Sequence, residues 1–385
     1  MMPHWLVAGL RCRAGIEIML ASFAVIACIQ PKLLLADQPR LEWRALDATP
    51  DDTSCKPVIF EQPRAIAVDR SGTIYVANEK GINALQRISS AGAIETLLDR
   101  RSAALANNHY FELSLAIDTK SRVILGVGAR ATIEQLGANG TLSILAGIPG
   151  KAALVDGVKT VALFRRPKAV AVDRSGNIYV ADSRTIRKLG DDGSVVTVAG
   201  KPSADEYALD GRGSRAVFGS LNGITIDAEG NLYVADGGTR KDEGRTVAFG
   251  LIRKVDRSGI VTTFAGSLDA DGSHIDGTGP DAGFDIVDAI TVDSVDNLFV
   301  TESYGSVRKI DSAGKVTSIV DHLRRYDEPA DRDGADPIFQ KLTGIAVDMR
   351  NQIYVVDSEA GKLHRIDGNA YVTTLCRQSA AVLAK

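Results

Sequence analysis

The sequence predicts an all-β fold, a six-bladed β-propeller of four-stranded antiparallel blades, and three observations predict it. First, one phrase recurs six times: PRAIAVDRSGTIYVAN (63–78), LSLAIDTKSRVILGV (113–127), PKAVAVDRSGNIYVAD (167–182), LNGITIDAEGNLYVAD (221–236), VDAITVDSVDNLFVTE (287–302) and LTGIAVDMRNQIYVVD (342–357). Its shared acid falls at Asp69, Asp118, Asp173, Asp227, Asp293 and Asp348, at spacings of 49, 55, 54, 66 and 55 residues. A near-constant period of this length marks a repeat architecture. Second, each copy reads as two β-branched runs about a polar turn. A third run follows (LQRIS, IEQLG, IRKLG, LIRKVD, VRKID, LHRID), then a tight turn such as DDGS (191–194), then a fourth run (IETLL, LSILAG, VVTVAG, VTTFAG, VTSIV, VTTL). Third, 37 glycines and only 5% aromatic residues among 385 fit many short, turn-separated strands. A lone four-stranded blade cannot bury both of its faces. Packing blade on blade around a closed ring does so and limits exposed edges.

In chain order, residues 1–36 read as a signal peptide outside the fold. Arg11 and Arg13 supply the basic end, and IMLASFAVIA (18–27) is an apolar stretch of suitable length, with Glu17 at its edge as a departure. Pro31 and Lys32 follow too soon for a comfortable membrane span. Cleavage after Ala27 and cleavage after Ala36 both fit. VIAC (25–28) resembles a bacterial lipobox, in which Cys28 would be lipidated. The expectation is export to a periplasm or the medium, with membrane attachment only through such a lipid. Residues 37–57 read as an N-terminal linker, 58–376 as the propeller and 377–385 as a tail. Blade 2 departs most from the repeat, since VILGVG lacks the closing acid and the TKSR turn lacks glycine. Blade 4 is lengthened by GGTRKDEGRTVAFG (237–250). There Arg240, Lys241, Arg245 and Phe249 read either as a partner-binding protrusion or as a solvated hairpin extension. Blade 6 has four strands of its own, so no borrowed strand is expected to close the ring.

Of four cysteines, Cys12 and Cys28 lie in the signal and Cys55 and Cys376 remain. Both fall in the connection between blade 6 and blade 1, whose ends are neighbours in a closed ring. An exported chain then favours a Cys55–Cys376 disulfide over two free thiols.

The formal net charge of −3 excludes a general nucleic-acid binder, which would carry a basic face. In a four-stranded blade the turns between strands 2 and 3 share one face with the blade-to-blade loops, and loops on a rigid scaffold carry function. Asp173 and its equivalents read as turn residues that accept backbone N–H groups. Asn78, Asp182, Asp236, Glu302 and Asp357, which close strand 2, read the same way. A catalytic residue is singular, whereas these recur. Positions that break the repeat are more informative. Just before each inner strand stand Arg64, Leu113, Lys168, Asn222, Asp288 and Thr343, which places them around the mouth of the central channel. Arg64 and Lys168 present donors to an anion. Arg64, Lys168, Asn222, Asp288 and Thr343 are therefore candidate ligand-binding residues, with a channel lined by solvated side chains as the alternative.

Histidines point away from metal chemistry. His4 leaves with the signal, His364 lies in a third strand, and His109, His274 and His322 lie in loops without metal-ligand spacing. DADGSHIDG (269–277) carries Asp269, Asp271 and Asp276 but lacks the terminal Glu of a calcium loop. Asp-Gly pairs at 156–157, 210–211 and 333–334 mark it as a repeated blade-to-blade loop. There is no G-x-S-x-G elbow. No catalytic residue, metal or cofactor is expected.

The repeated phrase resembles the NHL repeat, PxGIAVDxxGNIYVADSxxxRIRKxD, over all six blades. The loops AGKPSADEYALDGRGSRAVF and AGSLDADGSHIDGTGPDAGF resemble those of bacterial NHL proteins. The resemblance implies the propeller, but one fold hosts many functions. NHL and similar propellers include protein- and RNA-binding modules, extracellular sensor domains, a peptide-amidating lyase and lactonase-like hydrolases. Asn222 and Asp288 are similar to the Asn and Asp metal ligands of gluconolactonase-like propellers. That family also uses a Glu from blade 1, where this chain has Arg64. The lyase resemblance would imply axial histidines, which no inner strand carries. The expectation is an exported, monomeric, non-catalytic binding or scaffolding module for a protein, peptide or cell-envelope polymer. The alternative is a lactonase-like or lyase-like enzyme with its site at the channel mouth.

Overall fold

The six repeats fold as six antiparallel sheets that make the blades of a propeller. The structure, a computed structural model, describes residues 41–45, 55–99, 112–321 and 339–378, apart from residues 138, 203–206, 243–244 and 271–273. Inner strands run over Pro63–Val68, Leu113–Ile117, Pro167–Val172, Ser220–Ile226, Val287–Val292 and Leu342–Val347. Outer strands run over Ile94–Asp99, Leu142–Ala146, Ser194–Gly200, Ile260–Ala265, Lys315–Val320 and Val372–Gln378. Among the described residues there is no α-helix, only short 3₁₀ turns.

Local chemistry sets the turns as expected. Asp173 Oδ1 accepts the N–H of Ser175 and of Asn177, each at 2.9 Å. Asp69, Asp118, Asp293 and Asp348 make the same pair of bonds, and Asp227 the second of them. Each Asp thus fixes the hairpin that sends strand 1 back as strand 2. Cores then form between consecutive blades. Tyr75 and Leu85 of blade 1, for example, pack with Leu113 and Leu125 of blade 2. Near the axis the inner strands approach closely. A Cβ on Gly223 would lie 3.0 Å from the Ile290 nitrogen, and one on Gly344 would lie 2.9 Å from the Arg64 carbonyl oxygen. Only glycine fits at such approaches.

Asp357 caps the turn after strand 2 as expected, accepting the N–H groups of Glu359 and Ala360, but for Asp182, Asp236 and Glu302 the structure corrects the sequence reading. Asp182 and Asp236 are fully buried. Asp182 accepts the backbone N–H groups of Arg165 and Arg166, Asp236 that of Gly219 and Glu302 that of Asp285, all in the incoming blade-to-blade loops. Each also meets a fully buried arginine from strand 3: Arg187, Arg253 and Arg308 respectively. The other arm of each guanidinium reaches the loop acid Asp156, Asp210 or Asp276. Each guanidinium also lies 5.3–5.4 Å from the ring of a buried phenylalanine, Phe164, Phe218 or Phe284. Blades 3, 4 and 5 are thus stapled to their loops by repeated acid–arginine–acid triads. In the Asp-Gly loops the acids Asp156, Asp210 and Asp276 are thus engaged by arginines. Asp271 and the 333–334 pair lie outside the described residues.

Blades 3, 4 and 5 also gain a fifth, two-residue strand from the loop before them: Gly157–Val158, Gly211–Arg212 and Gly277–Thr278. Blade 6 is closed differently, against expectation. Leu41–Ala45 pairs along its outer strand from Thr373 to Arg377, and Cys55–Pro57 pairs with Cys376–Gln378. The expected linker 37–57 therefore supplies strands, and the N-terminal side of the chain is borrowed to seal the ring. The expected tail loses its first two residues, 377 and 378, to the outer strand. Trp43 packs on Tyr354 with ring centroids 5.6 Å apart, beneath the Arg365 guanidinium. An open outer edge is a pairing hazard, and this strap covers it.

Candidate functional site

The channel opens on the loop face into a cavity of about 100 Å³. Its lining repeats the inner strands three residues deep. The first row is Arg64, Leu113, Lys168, Asn222, Asp288 and Thr343; the second is Ala65, Ser114, Ala169, Gly223, Ala289 and Gly344; the third is Ile66, Leu115, Val170, Ile224, Ile290 and Ile345. Strands rise about 3.3 Å per residue, so the rows descend the axis in order. Polarity falls from a charged mouth through a waist of small residues to an aliphatic floor. All five residues singled out from the sequence meet here.

The first row is tied to its neighbours. Lys168 Nζ donates to Asn222 Oδ1 at 2.5 Å, which bridges blades 3 and 4. Asn222 Nδ2 donates to the Val287 carbonyl at 2.8 Å, bridging to blade 5. Thr343 Oγ1 donates to the Pro63 carbonyl at 2.8 Å, bridging blade 6 to blade 1. Asp288 Oδ2 accepts from Ser303 Oγ at 2.7 Å. Arg64 lies 3.5 Å from Glu79. Burial pushes the Lys168 ammonium below its usual range, and the positive charges of Arg64 and Arg166 push the same way. Burial raises the Asp288 carboxyl, opposed by the Ser303 hydrogen bond and by Arg64 and Lys168. Glu112 is held low, chiefly by its hydrogen bonds to Arg166.

This donor set does not fit a divalent cation. The Asn222 oxygen already accepts from the Lys168 ammonium and, at 3.3 Å, from Ser220 Oγ. Arg64 brings positive charge where the gluconolactonase resemblance would put a ligand. A metal would have to displace a tethered cation and face another.

The remaining candidates fall elsewhere. Strands Leu232–Asp242 and Arg245–Val255 continue in register out to Asp242 opposite Arg245, so the blade 4 insertion is a long hairpin. Phe249 is 1% exposed and packs edge-on to Tyr207 at 6.4 Å, so it is a core residue of that hairpin, not a contact surface. Arg240 Nε donates to the Leu268 carbonyl, and the Lys241 N–H to the Tyr207 hydroxyl. Arg245 is exposed near the tip. Cys376 is buried and disulfide-bonded. The Cys55 side chain, Cys28, His109 and His322 lie outside the described residues. His274 is spent within blade 5, with Nδ1 2.6 Å from Glu302 and Nε2 3.0 Å from Ser318. Sequence reasoning missed Ser303, Glu79 and the Glu112–Arg166 pair, which brace the mouth from loops. Only the Arg165-Arg166 doublet beside Lys168 hinted at them.

No protein-family model matches the chain. Among curated proteins it is similar to Teneurin-1 of Caenorhabditis elegans, 22% identical over 196 residues that make up 46% of this chain and 7% of that one. It is also similar to Teneurin-4 of Mus musculus, 27% identical over 227 residues, 48% of this chain and 8% of that one. The matched stretch is thus a small part of those proteins. Among solved structures it is similar to a gluconolactonase of Xanthomonas campestris, with TM-score 0.51 and 14% identity over 89% of this chain and 99% of that one. A virginiamycin B lyase of Staphylococcus aureus gives TM-score 0.48 and 15% identity over 88% of each chain. What the chain shares with the gluconolactonase at such identity is the fold, a six-bladed β-propeller.

Proposed function

We propose that the chain is an exported propeller of the NHL-repeat kind and works as a non-catalytic binding module, taking a protein, peptide or cell-envelope polymer on its loop face. One observation carries this reading: the positions that depart from the repeat converge on a single cavity of the loop face. The recurring acids are, by contrast, absorbed by the scaffold in triads and turn caps. A rigid ring with one individual mouth is suited to recognition. Export rests on the basic and apolar character of residues 11–27. The test is affinity capture from native envelope extract and medium with the purified chain, beside Arg64→Ala and Lys168→Ala variants. A specific partner lost in the variants supports the reading, and a partner retained by both removes the loop-face mouth from it.

A lactonase-like reading has one observation in its favour, that Asn222 and Asp288 line the same cavity. It predicts hydrolysis of sugar lactones that rises with added divalent cation. The ammonium on Asn222 argues for no such turnover.

A further inference from the structure

Formal charges enter the mouth from every second blade: Arg64 from blade 1, Lys168 from blade 3 and Asp288 from blade 5. The Arg64 charge is answered by Glu79. Lys168 and Asp288 differ. Among the described residues the Lys168 ammonium bonds only the neutral Asn222 amide, and Asp288 only the neutral Ser303 hydroxyl. Each feels the other's charge, yet they form no ion pair. Glu112, the acid that also acts on Lys168, is bound by Arg166. An ammonium and a carboxylate left unmatched in one confined cavity are costly, and a ligand that bridges them removes the cost.

We propose that the mouth binds a small apolar α-amino acid as its zwitterion, its carboxylate on Lys168 and its ammonium on Asp288. The assignment rests on the loop-face binding reading and narrows it. Of the charged groups in the cavity lining, with Arg64 paired to Glu79, one positive and one negative group remain, which matches a species of zero net charge; Lys341, outside the lining, only adds its field at Asp288. An α-amino acid carries both its charges on one carbon, so a single small ligand can meet both groups. The waist of alanines and glycines leaves room below for a side chain, and the floor of Ile66, Val170 and Ile290 is apolar. The volume of about 100 Å³ limits the ligand to a small one.

Isothermal titration of the purified full chain tests this with L-alanine, L-valine, acetate and methylammonium. Alanine or valine should bind saturably, and acetate and methylammonium at least about tenfold more weakly, since each lacks one of the two charges. Lys168→Met should abolish binding. Asp288→Asn should bring the amino acid down to the level of acetate. Circular dichroism confirms that both variants fold, and Lys168→Arg and Asp288→Glu, which keep the charges, should retain binding. Equal affinity for alanine and acetate, or no saturation with either amino acid, overturns the assignment. If partner capture still depends on Lys168 in that event, the loop-face reading stands and only this inference fails.

Discussion

Arg253 Nη1 donates to Asp236 Oδ2 at 3.0 Å, and neither side chain meets solvent. The same guanidinium bonds the carbonyls of Val217 and Leu209 and the carboxylate of Asp210. Strand 2, strand 3 and the incoming loop of blade 4 therefore meet at one cation. Blades 3 and 5 repeat this at Arg187 and Arg308. A buried ion pair adds little net stability over a well-packed apolar substitute, but losing one partner strands the other.

Arg253→Met should therefore cost about 3–5 kcal/mol, because it leaves Asp236 buried without its counterion. Asp210→Ala should cost less, about 1–2 kcal/mol, since that carboxylate is half exposed and gives up hydrogen bonds to Thr263 that water partly replaces. Denaturant unfolding of the two variants beside the parent measures both. Equal losses would show that the triad does not act through burial of Asp236.

The repeat, the blade count and the mouth residues were legible because they depend on periodicity alone, and periodicity survives in one sequence. The triads were not read, although the signal was present: an arginine in register in IRKLG, LIRKVD and VRKID, and an Asp-Gly pair upstream of each blade. A lone arginine in a strand looks solvated until the loop that covers it is known. Leu41–Ala45 was unreadable for a related reason. Five residues of strand carry no mark of their partner, which lies more than 300 residues away at Thr373–Arg377. Phe249 looked exposed because the insertion has no counterpart in the repeat, and its partner Tyr207 comes from the preceding loop.

Acid should move stability in two opposed ways. His364 stands in blade 6 where blades 3, 4 and 5 place the buried arginine, and burial depresses its pKa to about 4. The unfolded chain takes up that proton near pH 6.5 and the fold does not, so stability is lost as pH falls from about 6.5 to 4, by about 3 kcal/mol. Burial pushes the Asp236 carboxyl up to about 6, against the pull of Arg253. There the fold holds a proton that the unfolded chain has released, so stability rises as pH falls from about 6 toward 4. In His364→Gln the thermal midpoint should fall less on acidification than in the parent. In Asp236→Asn it should fall more steeply. Parallel pH profiles for parent and variants would contradict both assignments.

Deleting residues 241–246 at the tip of the blade 4 hairpin should leave the fold intact. Phe249 and the ladder below it remain, and among the described residues the loss falls on the exposed Lys241, Arg245 and Thr246 and on the bond from the Lys241 N–H to the Tyr207 hydroxyl. A longer deletion, 239–248, should also remove the tie from Arg240 to Leu268 and lower the thermal midpoint further. Partner capture with both variants decides whether the tip belongs to the binding face. Undiminished capture would assign it to blade architecture alone.

Reduction should loosen the ring without opening it. Cys376 is disulfide-bonded, and of the other cysteines only Cys55 lies beyond the expected signal. The backbone already brings the two together. Cys55 pairs with Gln378 and Pro57 with Cys376, so the cysteines sit on adjacent strands two register steps apart. Diagonal neighbours in a regular ladder lie about 7–8 Å apart at Cα, just beyond the usual disulfide span, so the bridge draws the two strand ends slightly together. The bridge ties positions 321 residues apart in sequence. The chain-entropy model gives roughly 5–6 kcal/mol for such a loop, and about 2–4 kcal/mol is typical of measured bridges. The strap formed by Leu41–Ala45 closes the same blade without covalent help, so the reduced protein should stay folded with a lower thermal midpoint. Cys55→Ser with Cys376→Ser should match the reduced parent and no longer respond to reductant. Peptide mapping without reduction should recover one linked pair, Cys55 with Cys376. Free thiols at both positions, or a linked peptide that carries Cys12 or Cys28 instead, would refute the clasp.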